Sequence, residues 1–112
     1  MTRWRLATMY EVHIFLASAK AAASNERSFQ PGTRHALLIM SRQPRGSDHN
    51  YVVAEQGAAN AGWESFKFER AGTLIAENLN GKDRDFIEAF EHALLEGCSV
   101  IAYRGAVAEG EA

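Results

Sequence analysis

The chain has 112 residues, of which 46% are apolar and 23% are charged, so it is long enough for one globular domain and too short for two independent cores. Its formal net charge is −2, which gives no overall field that would select nucleic acid or an anionic membrane surface. Cys98 is the only cysteine, which excludes an intrachain disulfide and a cysteine-based zinc site and favours a reducing, cytoplasmic setting.

The N-terminal part of the sequence predicts a loose extension followed by a strand. The first residues have the outline of a secretory signal, but Glu11 and His13 interrupt the apolar stretch, and Met9 offers an alternative start that leaves residues 1–8 as the extension. Residues 10–17 alternate in the manner of a strand. Two sets of side chains lie on its opposite faces: Val12, Ile14 and Leu16 on one, and Glu11, His13 and Phe15 on the other.

The second predicted strand covers residues 35–42. Its apolar centre, residues 36–40, is continuous rather than alternating, which is typical of a strand that is covered on both faces and is therefore central in its sheet. The segment between the two strands, residues 18–34, is longer than connections without structure of their own usually are. Because folding alone does not explain its length, we expect this segment to carry function.

Segment 18–34 also contains candidate contacts for a protein partner. Its basic residues Lys20, Arg27 and Arg34 outnumber the acidic ones by two. Phe29 either folds back over the sheet as a lid or is exposed as an aromatic anchor. In the second case, the basic side chains around it would contact an acidic surface, such as the last helix of a second copy.

A loop over residues 43–48 precedes a predicted helix. Arg42, Arg45, Gly46 and Ser47 combine two guanidinium groups with backbone N–H groups close to a helix start, a combination that binds phosphate or carboxylate. A solvated turn with ordinary helix capping explains the same residues. Both interpretations stay open from the sequence.

The predicted helix after this loop runs to about Ala61, with Ser47 or Asp48 as its N-cap and Gly62 as its stop. A strand near residues 51–54 is the alternative, because Gly57 and two valines weaken the helix. We expect these residues to face the core: Tyr51, Val52, Val53, Ala58 and Ala59.

The C-terminal half predicts a strand, a linker, a helix and a last strand. Residues 63–70 alternate with Phe66 and Phe68 inward, and residues 71–81 form the linker. Residues 83–96 have a helical apolar stripe and are followed by a glycine stop. Residues 98–104 are the last strand, and residues 105–112 are a mobile tail. The helix stripe consists of Phe86, Ile87, Phe90, Ala93 and Leu94.

The exposed side of the last helix is acidic and carries one apolar side chain. Glu88 and Glu91 belong to this acidic side, and Leu95 lies off the buried stripe. An ordinary solvated face explains the acidic side, and an acidic docking surface for a basic partner is the alternative.

The order β-β-α-β-α-β predicts an α+β fold. We expect a two-layer sandwich, ferredoxin-like or related, with two helices on one face of a four-stranded sheet. The whole chain, residues 1–112, would form this single domain.

No motif assigns a chemical activity. His13 and His35 with Glu11 would form a metal site only if paired strands brought them together, and Cys98 opens an apolar strand, which favours a buried small residue over a nucleophile. We therefore assign no catalytic residue, metal or cofactor.

This absence of chemistry favours a protein-binding or self-associating module, such as an inhibitor, an immunity-type protein or an adaptor, whose partner is another protein or a second copy. The alternative is a small-ligand-binding or enzymatic domain that uses an open sheet face or the Arg42–Ser47 loop. Nucleic acid and membrane partners are disfavoured. A pocket that enclosed several of four residues would favour the alternative: His13, Arg34, His35 and Arg42.

Overall fold

The computed structural model describes residues 9–25 and 29–106, so the predicted extension over residues 1–8 lies outside the described residues. The observed order of strands and helices confirms the predicted β-β-α-β-α-β order of an α+β fold. None of the helices in the described part of the chain is long and apolar enough to cross a membrane. The elements are β1 (Tyr10–Ala21), β2 (Arg34–Pro44), α1 (Tyr51–Asn60), β3 (Trp63–Leu74), a 3-10 helix (Ala76–Leu79), α2 (Arg84–Glu96) and β4 (Cys98–Ala106).

The four strands form one open antiparallel sheet in the order β3-β1-β2-β4. The β1–β2 hairpin lies in its centre, as the continuous apolar run of β2 predicts. The register pairs His13 with Ser41 on β2 and with Thr73 on β3, whereas His35 pairs with Ala19. His13 and His35 therefore do not meet across the hairpin.

The two helices pack on opposite faces of the sheet, so the expectation that both share one face is wrong. Leu37 and Ile39 of β2 belong to the core cluster that contains α1, whereas Leu38 and Met40 belong to the cluster that contains α2. Successive side chains of a strand point to opposite faces, so the apolar run of β2 needs a helix on each side. The arrangement has three layers and differs from the predicted two-layer, ferredoxin-like sandwich.

Helix α2 follows the sequence prediction closely. The Asp83 side chain caps its first turn by accepting a hydrogen bond from the backbone N–H of Phe86. Gly97 ends the helix in the left-handed region at φ 103°, where glycine is favoured because it lacks a Cβ. Phe90 is buried and Leu95 is 51% exposed, as the helical stripe predicts.

Helix α1 exists as predicted, but its cap and its buried face differ. Asn50 caps it by accepting a hydrogen bond from the backbone N–H of Val53. The buried residues are Ala54 and Ala58, which lie one turn apart, and their small size lets the helix approach the sheet closely. The other residues expected in the core are exposed: Tyr51, Val52, Val53 and Ala59.

Two connections are shorter than predicted, because the strands beside them are longer. Strand β1 continues to Ala21 and β3 to Leu74, through residues that were expected in the 18–34 segment and in the 71–81 linker. In the same way, Gly105 and Ala106 belong to β4 rather than to the predicted tail, whose remaining residues lie outside the described part of the chain.

Phe29 folds back onto the sheet, as in the lid alternative. It is 6% exposed, and its ring centroid lies 4.6 Å from that of His35 and 5.1 Å from that of Trp63. The Arg104 guanidinium covers the ring at 4.2 Å from its centroid. Phe29 is therefore a packing residue and is not exposed as an anchor.

Candidate functional site

A groove of about 740 Å³ runs along β4 at the edge of the sheet. Strand β4 forms its floor, and the two helices form its walls from opposite sides of the sheet. A small-ligand site was expected to enclose several of His13, Arg34, His35 and Arg42, and the groove encloses none of these. The residues that line it are Gly57 and Asn60 of α1, Ala61 directly after α1, Asp85, Glu88, Ala89 and His92 of α2, residues 98–102 of β4, and Trp63.

The α1 wall lies against β4 at Gly57. A Cβ at this position would overlap the Cys98 Sγ and would lie 3.2 Å from the Cys98 Cβ, so glycine is what permits the contact. Burial raises the pKa of the Cys98 thiol, which keeps it protonated and weakly nucleophilic at neutral pH. The packing role predicted for this cysteine agrees with that environment.

The α2 wall consists of Asp85, Glu88, Ala89 and His92, which we call the α2 stripe. Their spacing of three, one and three residues places them along one side of the helix. All are exposed except Ala89, which is half-buried, and the hydroxyl of Ser99 in β4 donates a 2.7 Å hydrogen bond to the Ala89 carbonyl. The groove lining contains no Lys or Arg.

A second polar cluster lies at the N-terminal end of β1, on the α1 face of the sheet. The imidazole of His13 is completely buried, and its Nε2 lies 2.7 Å from an oxygen of Glu11, whose side chain is 10% exposed. The two residues are separated by two positions in a strand and so share one face. This is the face that the sequence assigned to both of them.

The loop that was predicted to bind an anion holds this carboxylate. The hydrogen bond from His13 lowers the pKa of Glu11, and a hydrogen bond from the backbone N–H of Gly46 and the charge of Arg45 lower it further, against the effect of burial. Ser47 closes the turn by donating to the Pro44 carbonyl at 2.7 Å. Gly46 and Arg45 of this loop therefore act on an anion that the chain itself provides.

Arg42, the fourth member of the predicted anion site, points away from this loop. Its guanidinium donates a 2.8 Å hydrogen bond to the carbonyl of Leu94, in the last turn of α2, where a cation is favourable for the helix dipole. The same group lies 5.0 Å from the ring centroid of Tyr10. Arg42 thus connects β2 to the end of α2.

His49, on the loop before α1, covers the buried histidine. Its ring centroid lies 4.7 Å from that of His13 with the planes 80° apart, and its Nε2 lies 3.0 Å from the hydroxyl of Thr73. Among residues 9–25 and 29–106, the Nδ1 of His13 has no hydrogen-bond partner. Within the described residues, no three side chains of the His, Cys, Asp or Glu type converge to hold a metal ion.

The residues predicted as partner contacts are scattered over the molecule. Arg34 is buried and donates a 3.0 Å hydrogen bond to the Ser18 hydroxyl, and Lys20 is half-buried on β1. Arg27 lies outside the described residues. On α2, Glu88 lines the groove, Glu91 is half-buried and Leu95 is exposed.

Sequence reasoning missed the groove and the contact between His13 and His49. The α2 stripe is visible as a helical spacing, but its position beside an edge strand depends on the strand order. The contact between the two histidines joins residues 36 positions apart and leaves no local pattern.

Compared with protein-family models, curated proteins and solved structures, the chain matches none. The groove and the cluster of Glu11, His13 and His49, which we call the histidine cluster, are therefore the candidate sites.

Proposed function

We propose that this protein is a self-associating module and that a second copy occupies the groove beside β4. The observation that carries the proposal is the order of side chains on the α2 stripe: an acidic residue, a second acidic residue, alanine and histidine, all exposed or half-buried along one helix side. When two copies of α2 run antiparallel, the acidic end of each stripe lies opposite the histidine end of the other.

The complementarity follows from a two-fold axis that passes between Glu88 and Ala89. Two antiparallel copies of α2 then place Asp85 opposite the second copy's His92, and His92 opposite the second copy's Asp85. A protonated imidazole forms an ion pair with the carboxylate, and a neutral one donates a hydrogen bond to it. Ala89 lies at the centre, where its small side chain lets the two helices approach closely. Such a two-fold interface is closed, so assembly ends at the dimer.

The contrast between the two edge strands supports this surface. Strand β3 carries Glu64, Lys67, Glu69 and Arg70, and its pairing with β1 has two register shifts. Charges and irregularities of this kind discourage contact between sheet edges. Residues 98–103 of β4 contain no charge, glycine or proline. An edge strand of this composition is typical of one that another subunit covers.

A basic segment of a different protein is the competing occupant, because Asp85 and Glu88 are acidic and the groove lining has no Lys or Arg. This occupant leaves the positions of Ala89 and His92 without a role. The second copy gives a role to Asp85, Ala89 and His92.

The test is sedimentation equilibrium of the full chain at about 1–100 µM, where specific dimers are commonly measured. Ala89→Glu places a carboxylate opposite the second copy's Glu88 at the proposed axis and is expected to give a monomer. The matched control is Ala59→Glu, on the exposed side of α1, which is expected to dimerise as the parent does. A parent that stays monomeric, or two variants that behave alike, would exclude the proposal.

A charge exchange tests the pairing itself. Asp85→His and His92→Asp each place like groups opposite each other and are expected to weaken the dimer. The double variant restores the opposite pair and is expected to recover association. Additive losses in the double variant would mean that the two residues do not meet across the axis.

A further inference from the structure

The histidine cluster of Glu11, His13 and His49 does not line the groove and is independent of the proposed self-association. His13 is completely buried, and its Nδ1 makes no hydrogen bond with the part of the chain that the structure describes, although buried polar atoms are nearly always paired. The ring that carries this atom packs against the ring of His49, an exposed residue, with the two centroids 4.7 Å apart. An unpaired buried nitrogen next to a second imidazole indicates a site for a ligand.

The hydrogen bonds determine what the free nitrogen offers. An ionised carboxylate only accepts hydrogen bonds, so the 2.7 Å contact between Glu11 and His13 places a proton on the His13 Nε2. In the neutral imidazole, the Nδ1 then carries a lone pair. Histidines that bind metals have this same arrangement, in which one ring nitrogen donates to a carboxylate and the other binds the ion.

The separation of the two rings fits a shared ion. An imidazole nitrogen binds Zn²⁺ at about 2.0–2.1 Å, so two imidazole centroids on one ion lie roughly 5 Å apart. The centroids of His13 and His49 are 4.7 Å apart, with their planes at 80°. His49 is exposed on a loop, so its side chain can turn and admit an ion to the buried nitrogen.

We propose that His13 and His49 bind one divalent transition-metal ion of the kind that prefers imidazole, Zn²⁺ or Cu²⁺. Glu11 orients the His13 ring through the hydrogen bond that it accepts from the Nε2. Because no third His, Cys, Asp or Glu of the described residues converges there, the protein supplies two ligands and leaves the other positions to water or to a further molecule.

The test is calorimetric titration of the full chain with ZnCl₂, and the parent is expected to bind one equivalent. His49→Ala removes an exposed ligand and is expected to weaken binding at least tenfold. Glu11→Gln removes the carboxylate behind His13 and is expected to weaken binding about 10- to 100-fold. The matched control is Asp48→Asn, which removes an exposed carboxylate beside His49 and is expected to bind as the parent does.

The ligands are identified by electron paramagnetic resonance with one equivalent of Cu²⁺. The parent is expected to show nitrogen couplings from two imidazoles, and His49→Ala from one. Three results would overturn the proposal: no saturable Zn²⁺ binding by the parent, equal affinities of the parent and His49→Ala, or an equal loss in Asp48→Asn. The proposal does not depend on the dimer, because none of these residues lines the groove.

Discussion

At the scale of single residues, Glu11 joins the loop after β2 to the buried end of β1. Its carboxylate accepts hydrogen bonds from the His13 ring and from the backbone N–H of Gly46, and the charge of Arg45 lies nearby. These groups stabilise the ionised form, and they lower the pKa of Glu11 although its partial burial opposes the shift. The folded state therefore holds this carboxylate more tightly as an anion than the unfolded chain does.

This arrangement predicts how the stability of Glu11→Gln depends on pH. Since the folded-state pKa is lowered, the stabilisation by the parent carboxylate is fully present above the ordinary glutamate value of about 4.3. It is lost as the pH falls through the folded-state value. At pH 7 the variant is expected to be less stable by about 1.5 kcal/mol, typical of a hydrogen bond to a charged group. The difference between the two proteins should close on acidification.

The measurement is urea unfolding between pH 3 and pH 7 in a buffer that contains a chelator. The control is Glu69→Gln, on the exposed side of β3, for which a change below about 0.5 kcal/mol is expected at every pH. A gap between the parent and Glu11→Gln that stays constant over this range would show that the carboxylate charge contributes nothing.

At the scale of elements, α1 packs through small residues rather than through a large apolar stripe. Ala54 and Ala58 are fully buried, and Gly57 lies between them in sequence, against Cys98 of β4. Helix α1 therefore lies close to the sheet, and the partly buried aromatic rings beside it belong to strands of the sheet. This explains why its apolar periodicity is weak.

The close contact predicts an unusual result for Gly57→Ala. Alanine in place of glycine inside a helix normally stabilises it by about 1 kcal/mol. Here the new methyl group overlaps the Cys98 Sγ, so the variant is expected to lose about 1–3 kcal/mol, as overpacked cores do. Combining it with Cys98→Ala removes the sulfur, and the double variant should be more stable than the sum of the single effects by about 1 kcal/mol.

Thermal and urea unfolding of the four proteins in this cycle provide the measurement. Gln56→Ala, at an exposed position of the same helix, is the control for helix propensity and should change stability by less than about 0.5 kcal/mol. Stabilisation by Gly57→Ala alone would mean that α1 is not held against β4.

The sequence predicts elements well where local chemistry determines them. Helix α2 has a clear apolar stripe and the Gly97 stop, so the sequence predicts its end and, to within one residue, its start, where Asp83 is the cap rather than the first helical residue. Helix α1 has several residues near its start that can act as caps, and Asn50 fills that role. Its buried face is decided by close packing against the sheet rather than by hydrophobicity, so the large residues at its start were placed wrongly.

At the scale of the whole molecule, the apolar pattern of β2 already predicts a helix layer on each face of the sheet. A strand that is apolar on both faces requires cover on both, and the observed structure supplies α1 on one face and α2 on the other. The expectation of two helices on one face conflicts with that requirement. The candidate sites were harder to predict, because the groove depends on the strand order and His49 reaches His13 only through the fold.

Self-association also predicts how the stability of the whole molecule depends on its concentration. Binding between folded copies stabilises them by mass action, so the unfolding temperature should rise with protein concentration. Each tenfold increase in protein concentration raises the free energy of unfolding by about 1.4 kcal/mol per dimer. Dividing this free energy by the unfolding entropy of two chains of this length gives an increase in the unfolding temperature of about 3 °C.

The measurement is calorimetric unfolding at concentrations from about 5 µM to 500 µM, at low and at high salt. Screening weakens charge pairs at exposed positions, so the concentration dependence of the parent should decrease as salt is added. Ala89→Glu should unfold at one temperature throughout, while Ala59→Glu should follow the parent. An unfolding temperature of the parent that does not change with concentration would show that the groove is not occupied by a second copy, because a dimer that dissociates on unfolding cannot avoid this dependence.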